Sequence, residues 1–129
     1  MASPDRPLSP HLQIYRWQWT MSLSILHRAT GVALVAGAFG VVWWLLALAG
    51  DAGGYQDFAE CIGSPLGMIA TAGFIACLAF HFFNGIRHLL WDTGWGLDLP
   101  TAFRTGMIVI VLSVLSFAAL AWMVFGGAA

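Results

Sequence analysis

Ala29 to Gly50 and Thr105 to Ala129 contain no ionisable side chain, and Ile62 to Ile86 contains only His81. Each run exceeds the roughly 20 residues needed to cross about 30 Å of hydrocarbon at about 1.5 Å per helical residue. A bilayer interior offers the backbone no water, so each run must satisfy its own amides and carbonyls, as an α-helix does. With 60% hydrophobic residues, 9% charged and no lysine, too little polar surface remains for a water-soluble domain of 129 residues. The chain reads as an all-α membrane protein with three transmembrane helices.

Local signals place the spans at about 22–49, 64–90 and 103–125, after an N-terminal segment of residues 1–21. Pro4, Pro7 and Pro10 oppose helix in that segment, and Trp17 with Trp19 reads as an aromatic belt at headgroup level. Gly50, Gly53 and Gly54 break the first helix into an acidic loop with Asp51, Asp57 and Glu60. Ser64 followed by Pro65 is an N-cap with proline at the first helical position, which starts the second span. Ser113 and Ser116 are the polar groups in the middle of the third span, a packing helix in which serine bonds its own backbone or a neighbour.

Arg6 and Arg16 precede the first span, Arg87 and Arg104 flank the loop between the second and third, and the acidic loop has no basic residue. The positive-inside tendency puts the N-terminus and the second loop in the cytoplasm, and the first loop and C-terminus on the periplasmic side. The opening residues are too polar for a signal peptide, and Asp5 is foreign to an acid-poor transit peptide. A bacterial inner membrane is the expected home, with the mitochondrial inner membrane as the alternative. Net charge is only −1, so nucleic acid is not an expected partner. Cys61 and Cys77, about 24 Å apart along a continuous helix, are out of disulfide reach, and no C-x-x-C-H sequence exists to hold a haem through thioethers.

Two polar clusters interrupt the apolar runs. Ser24, His27, Arg28 and Gly31 recur at i, i+3, i+4 and i+7 on the first helix, and His81, Asn84, Gly85 and His88 do so on the second. An ionisable group in hydrocarbon costs roughly 2.5 to 3.5 kcal/mol on insertion scales, so such a stripe calls for a partner, a cofactor or water. Both clusters fall at the cytoplasmic ends of their helices, and together they make one site.

Imidazole suits haem iron, and Gly85, one turn from His81, would let a flat macrocycle approach the backbone. A hydrogen-bonded packing histidine has the same spacing. His81 and His88 lie two turns apart, about 10.5 Å, on one side of one helix and cannot grip both faces of one haem. A second axial ligand must then be His27 or come from another chain. His27, Arg28, Arg87 and His88 suit carboxylate propionates, although Arg87 also reads as a membrane-edge anchor. Ser24 and Arg28, one turn apart, offer a hydroxyl and a guanidinium to a quinone carbonyl, with a helix start and an anchoring arginine as the plainer reading.

The string Ser24-Ile25-Leu26-His27-Arg28-Ala29-Thr30-Gly31, followed by His81-Phe82-Phe83-Asn84-Gly85-Ile86-Arg87-His88-Leu89-Leu90-Trp91-Asp92, resembles the paired signature of the large cytochrome b anchor subunits of succinate dehydrogenase. The opening from Arg6 to Tyr15 resembles that family's cytoplasmic lead-in. The resemblance implies that His81 is an axial ligand of haem b, the other coming from a histidine of the small membrane-anchor subunit. It implies that His27 and Arg28 approach the propionates, and that Ser24 and Arg28 contribute to ubiquinone binding. It further implies assembly in the lipid bilayer with the iron-sulfur and flavoprotein subunits of complex II. The chain itself has no dinucleotide fingerprint and no cysteine cluster for an iron-sulfur centre, so it is not an enzyme alone. A fumarate reductase anchor and a small proton-conducting or transport bundle are the competing readings.

Topology is directly testable. In a background lacking Cys61 and Cys77, a Gly53→Cys variant should react with an impermeant thiol reagent from outside, while Thr93→Cys should not. The reverse labelling pattern would invert the orientation.

Overall fold

The computed structural model describes residues 16–126, and the lead-in from Arg6 to Tyr15 lies outside them. Four helices follow in order: α1 (Trp19–Ala49), α2 (Ala52–Gly63), α3 (Pro65–Asp92) and α4 (Leu99–Phe125). Among the described residues, α1, α3 and α4 are long and apolar enough to cross a membrane, which matches the three expected spans.

The acidic loop expected after the first span is instead largely helical. Asp51 caps α2 by accepting the Gly54 amide at 2.8 Å, and Gln56 donates to Glu60 one turn on at 3.0 Å. Gly54, Phe58 and Ile62 fall on its half-buried face, and the Phe58 ring meets Trp43 of α1 edge-on at 5.0 Å. A cap and an inward face thus outweigh two glycines, each of which costs a helix about 1 kcal/mol relative to alanine.

Ser64 joins α2 to α3 as expected. Its backbone N–H closes α2 on the Cys61 carbonyl, its hydroxyl donates to the same carbonyl at 2.6 Å, and its oxygen accepts the Gly67 amide at 3.1 Å, with Pro65 opening α3. This corner puts Cys61 on α2 and Cys77 on α3, not on one continuous helix, and both thiols are free. The α3–α4 turn uses Gly94 and Gly96 at φ 84° and 78°, backbone that residues with a Cβ rarely adopt. Trp91 Nε1 donates to the Gly96 carbonyl at 3.0 Å. Asp98 caps α4 by accepting the Thr101 amide at 3.0 Å, which holds its carboxyl below the usual carboxylate range. That cap contributes above an ordinary aspartate's titration range and is lost as pH falls through the lowered folded value.

Leu23, Phe80 and Val109, one from each span, form the buried centre, with Phe83 and Ile110 against it. Most other large apolar side chains are exposed, as lipid-facing residues must be. Lipid tails are as apolar as these side chains, so close packing and polar bonds hold the helices together rather than transfer from water. Gly106 shows the packing. A Cβ there would stand 2.6 Å from Leu23 Cδ1 and 3.0 Å from Trp19 Nε1, so α1 reaches α4 only because Gly106 has none. Trp19, expected in an aromatic belt, also stacks obliquely on Phe103 at 6.4 Å and is an interhelical packing residue. Ser113 bonds its own helix, donating to the Val109 carbonyl at 2.6 Å, in line with its packing role.

Arg87 supplies the polar bond. It is 3% exposed, its Nε donates to Thr105 Oγ1 at 3.1 Å, one terminal nitrogen to the Ala102 carbonyl at 3.0 Å, and the other to Asn84 Oδ1 at 3.3 Å. Its Cζ lies 4.0 Å over the Trp91 ring. Arg87 therefore bolts α3 to α4: two α4 acceptors, the Asn84 side chain and an aromatic face engage its guanidinium. Arg87→Ala should lower stability by about 2 to 3 kcal/mol, the scale of lost hydrogen bonds to a charged donor. Arg87→Lys should restore little, since one ammonium cannot span these acceptors. Thermal unfolding of the detergent-purified protein measures both, and wild-type stability in Arg87→Ala would remove the bolt.

Candidate functional site

The site is built where α1 crosses α3. A Cβ on Gly31 would lie 3.1 Å from His81 Cε1, and a Cβ on Gly85 would lie 3.9 Å from His27 Cε1. Four residues forward along α1 therefore correspond to four residues back along α3: the helices are antiparallel, and each histidine sits over the other's glycine. Gly85 faces the flat ring of His27.

Three imidazoles stack as a result. His27 lies between the two histidines of α3, 3.9 Å from the His81 centroid with planes 12° apart, and 4.7 Å from His88 with planes 14° apart. Two turns of α3 separate His81 from His88, and one side chain from α1 fills the gap. His88 Nδ1 is 2.7 Å from the Asn84 carbonyl, which can only accept, so that nitrogen carries the proton. His81 Nδ1 faces the His27 carbonyl and Thr30 Oγ1, each at 3.2 Å. Neither Nε2 has a hydrogen bond among the described residues. His27 Nδ1 and Asn84 Nδ2 are buried without a partner among the described residues.

This geometry bears on axial ligation. Two imidazoles on opposite sides of one iron point a nitrogen at each other end-on, whereas rings stacked face to face present their nitrogens sideways. His27 in this position cannot face His81 across an iron. Nor do three His, Cys, Asp or Glu side chains converge to hold a bare metal ion among the described residues.

Ser24 and Arg28 share the face of α1 that leads to His27. Ser24 is half-buried and Arg28 exposed, and neither has a polar partner among the described residues. Neither lines the two cavities found between the spans among the described residues. One of these, about 350 Å³, lies between α3 and α4 against Phe83, Arg87 and Trp91. The other, about 330 Å³, is a groove among the spans bordered by Thr30, Cys77, Phe80 and Ser113. The donors of Ser24 and Arg28 thus stand on an open face.

The structure brings together His27, His81, His88, Gly31 and Gly85, leaves Ser24 and Arg28 beside them, and turns Arg87 away toward α4. Thr30 and Asn84 touch this cluster; the sequence reading counted Asn84 in the polar stripe of the second helix without a specific role and gave Thr30 none. The available signal was modest: Thr30 is a hydroxyl three residues after His27, and Asn84 is an amide one turn from both His81 and His88.

Residues 2–120 match the family described as Succinate dehydrogenase/Fumarate reductase transmembrane subunit. The chain is 44% identical over 126 residues to the "Succinate dehydrogenase cytochrome b560 subunit, mitochondrial" of Sus scrofa, covering 92% of this chain and 72% of that one. It is 42% identical over 110 residues to the "Succinate dehydrogenase cytochrome b556 subunit" of Rickettsia felis, covering 85% and 86%. The protein of the same name from Paracoccus denitrificans is 40% identical over 110 residues, covering 85% of each chain. The paired histidine motifs, the three apolar spans and these matches agree, and the chain belongs to the succinate dehydrogenase/fumarate reductase transmembrane subunit family.

Proposed function

We propose that this chain is the cytochrome b membrane-anchor subunit of a succinate dehydrogenase, binding haem b and ubiquinone and helping to carry electrons from succinate oxidation to the quinone pool. The observation that carries this reading is the His81 imidazole, held on its Nδ1 side by α1 while its Nε2 has no hydrogen bond among the described residues. Metal-bound histidines characteristically tie down the far ring nitrogen in this way.

The residues present fit a haem. His81 offers one nitrogen, and among the described residues His27 has a buried nitrogen without a partner and Arg28 is a cation without a polar partner, suited to a propionate. Bound haem supplies a one-electron carrier whose potential is set by its axial ligands and surroundings. His27 lies stacked on His81, so the second axial ligand comes from another chain, which this reading identifies as the small membrane-anchor subunit. Ser24 and Arg28 hold the carbonyl oxygen of ubiquinone by hydrogen bonding, on a face that the partner chain closes. The iron-sulfur and flavoprotein subunits supply the electrons from the cytoplasmic side, at the end of the bundle where His27, His88 and the α3–α4 turn come together.

This reading places the multi-pass protein in a bacterial inner membrane with its N-terminus cytoplasmic, although bacterial and mitochondrial relatives match it at similar identity. The family description names fumarate reductase as well; the names of the similar proteins favour the succinate direction.

In the assembled complex His81→Ala should lose haem, whereas His88→Ala should retain it with an altered spectrum or potential, because His88 sits two turns closer to the membrane edge. Haem content by optical spectrum decides, and full content in His81→Ala removes this ligand.

Ser24→Ala and Arg28→Leu should each lower ubiquinone turnover roughly ten- to a hundred-fold, the equivalent of about 1.5 to 3 kcal/mol of lost hydrogen bonding. Succinate oxidation with an artificial acceptor fed by the soluble subunits should be nearly unchanged. Variants that assemble with normal haem and reduce ubiquinone at the wild-type rate would return both residues to an anchoring role.

A further inference from the structure

A histidine presents a given ring nitrogen to a metal only in the neutral tautomer that leaves that nitrogen unprotonated, and the partner of the far nitrogen decides which tautomer forms. His81 Nδ1 has two neighbours at 3.2 Å, the His27 carbonyl oxygen and Thr30 Oγ1. The carbonyl can only accept. The Thr30 hydroxyl donates its proton to that same carbonyl at 3.0 Å, a bond threonine commonly makes to the preceding turn of its own helix. Its lone pairs are thereby turned toward His81. Were the hydroxyl to donate to Nδ1 instead, an unprotonated nitrogen would face the carbonyl oxygen at 3.2 Å, acceptor against acceptor. The carbonyl breaks the tie, so Nδ1 carries the proton and Nε2 keeps its lone pair.

Thr30 is 7% exposed, which limits the access of water to this triangle. The next residue, Gly31, bounds the ring on its Cε1 side, where even a Cβ would come within 3.1 Å. Ring plane and tautomer are thus set by two consecutive residues of the neighbouring helix. We infer that Thr30 is a positioning residue: with the His27 carbonyl it fixes the orientation and Nδ1–H tautomer of His81, and so tunes the basicity of the nitrogen presented to iron. This rests on the reading of His81 as the haem ligand.

A ring whose N–H is given to two acceptors is a stronger electron donor at its other nitrogen, and a stronger donor favours ferric iron. Thr30→Val keeps the branched shape and removes the acceptor. In the assembled complex it should retain haem, raise the ferrous-to-ferric ratio about three- to tenfold at fixed potential, and move the low-spin ferric EPR signal as the ring turns. For a one-electron couple at 59 mV per decade this is a rise in midpoint potential of about 28 to 59 mV. Thr30→Ser, which keeps the hydroxyl and loses only the methyl, should restore both values. If Thr30→Val does not assemble, Thr30→Ala removes the same acceptor without apolar bulk and carries the same expectation. A hydroxyl-free variant with wild-type potential and EPR signal overturns the inference, as does Thr30→Ser shifted as far as Thr30→Val, since the methyl packing would then be the cause. Full haem in His81→Ala would instead sink the ligand assignment on which the inference rests.

Discussion

At the α1–α3 crossing His81 lies against Gly31, where a Cβ would stand only 3.1 Å from the ring, and His27 lies over Gly85 at an ordinary contact distance of 3.9 Å. An imidazole against an alanine at the 3.1 Å position would push the helices apart or swing the ring. In hydrocarbon, where apolar burial contributes little between helices, such close approach is a principal source of association. The reciprocal pairing therefore sets helix register and builds the site in the same contact. The three-ring stack and the Thr30 bond to His81 both follow from it.

The rotation of α3 is held from its other side. Arg87 is adjacent in sequence to His88 but engages α4, through Thr105 and the Ala102 carbonyl. Asn84 connects the two sides, accepting from Arg87 through its side chain while its carbonyl receives His88. A buried cation in an apolar helix bundle is tolerable because each nitrogen of the guanidinium is hydrogen-bonded, and its planar fork makes one rotation of α3 better than its neighbours. The α3–α4 seam thus acts on the histidines without touching His81.

Much of the chemistry is left open toward other chains. His27 and His81 are too nearly parallel and too close to oppose one another on an iron. Among the described residues Ser24 and Arg28 have no polar partner. One well-held imidazole beside two such donors is compatible with a family of transmembrane subunits.

The sequence by itself determined the membrane class, the three spans, the Ser64-Pro65 corner and the helical spacing of both polar clusters, because these depend only on length, local capping and a period of 3.6 residues. It misjudged α2, where Gly53 and Gly54 looked like breakers but the Asp51 cap and the inward face of Phe58 prevailed. The histidine and glycine recurring four residues apart were visible in both motifs, yet their mutual use was not. A spacing along one helix states which residues share a face, not what stands across from it. Only the tertiary structure decided that Gly85 receives His27, that Arg87 belongs to α4, and that Thr30 meets His81. Each of these depends on the register between antiparallel helices, which packing sets across about fifty residues of intervening chain.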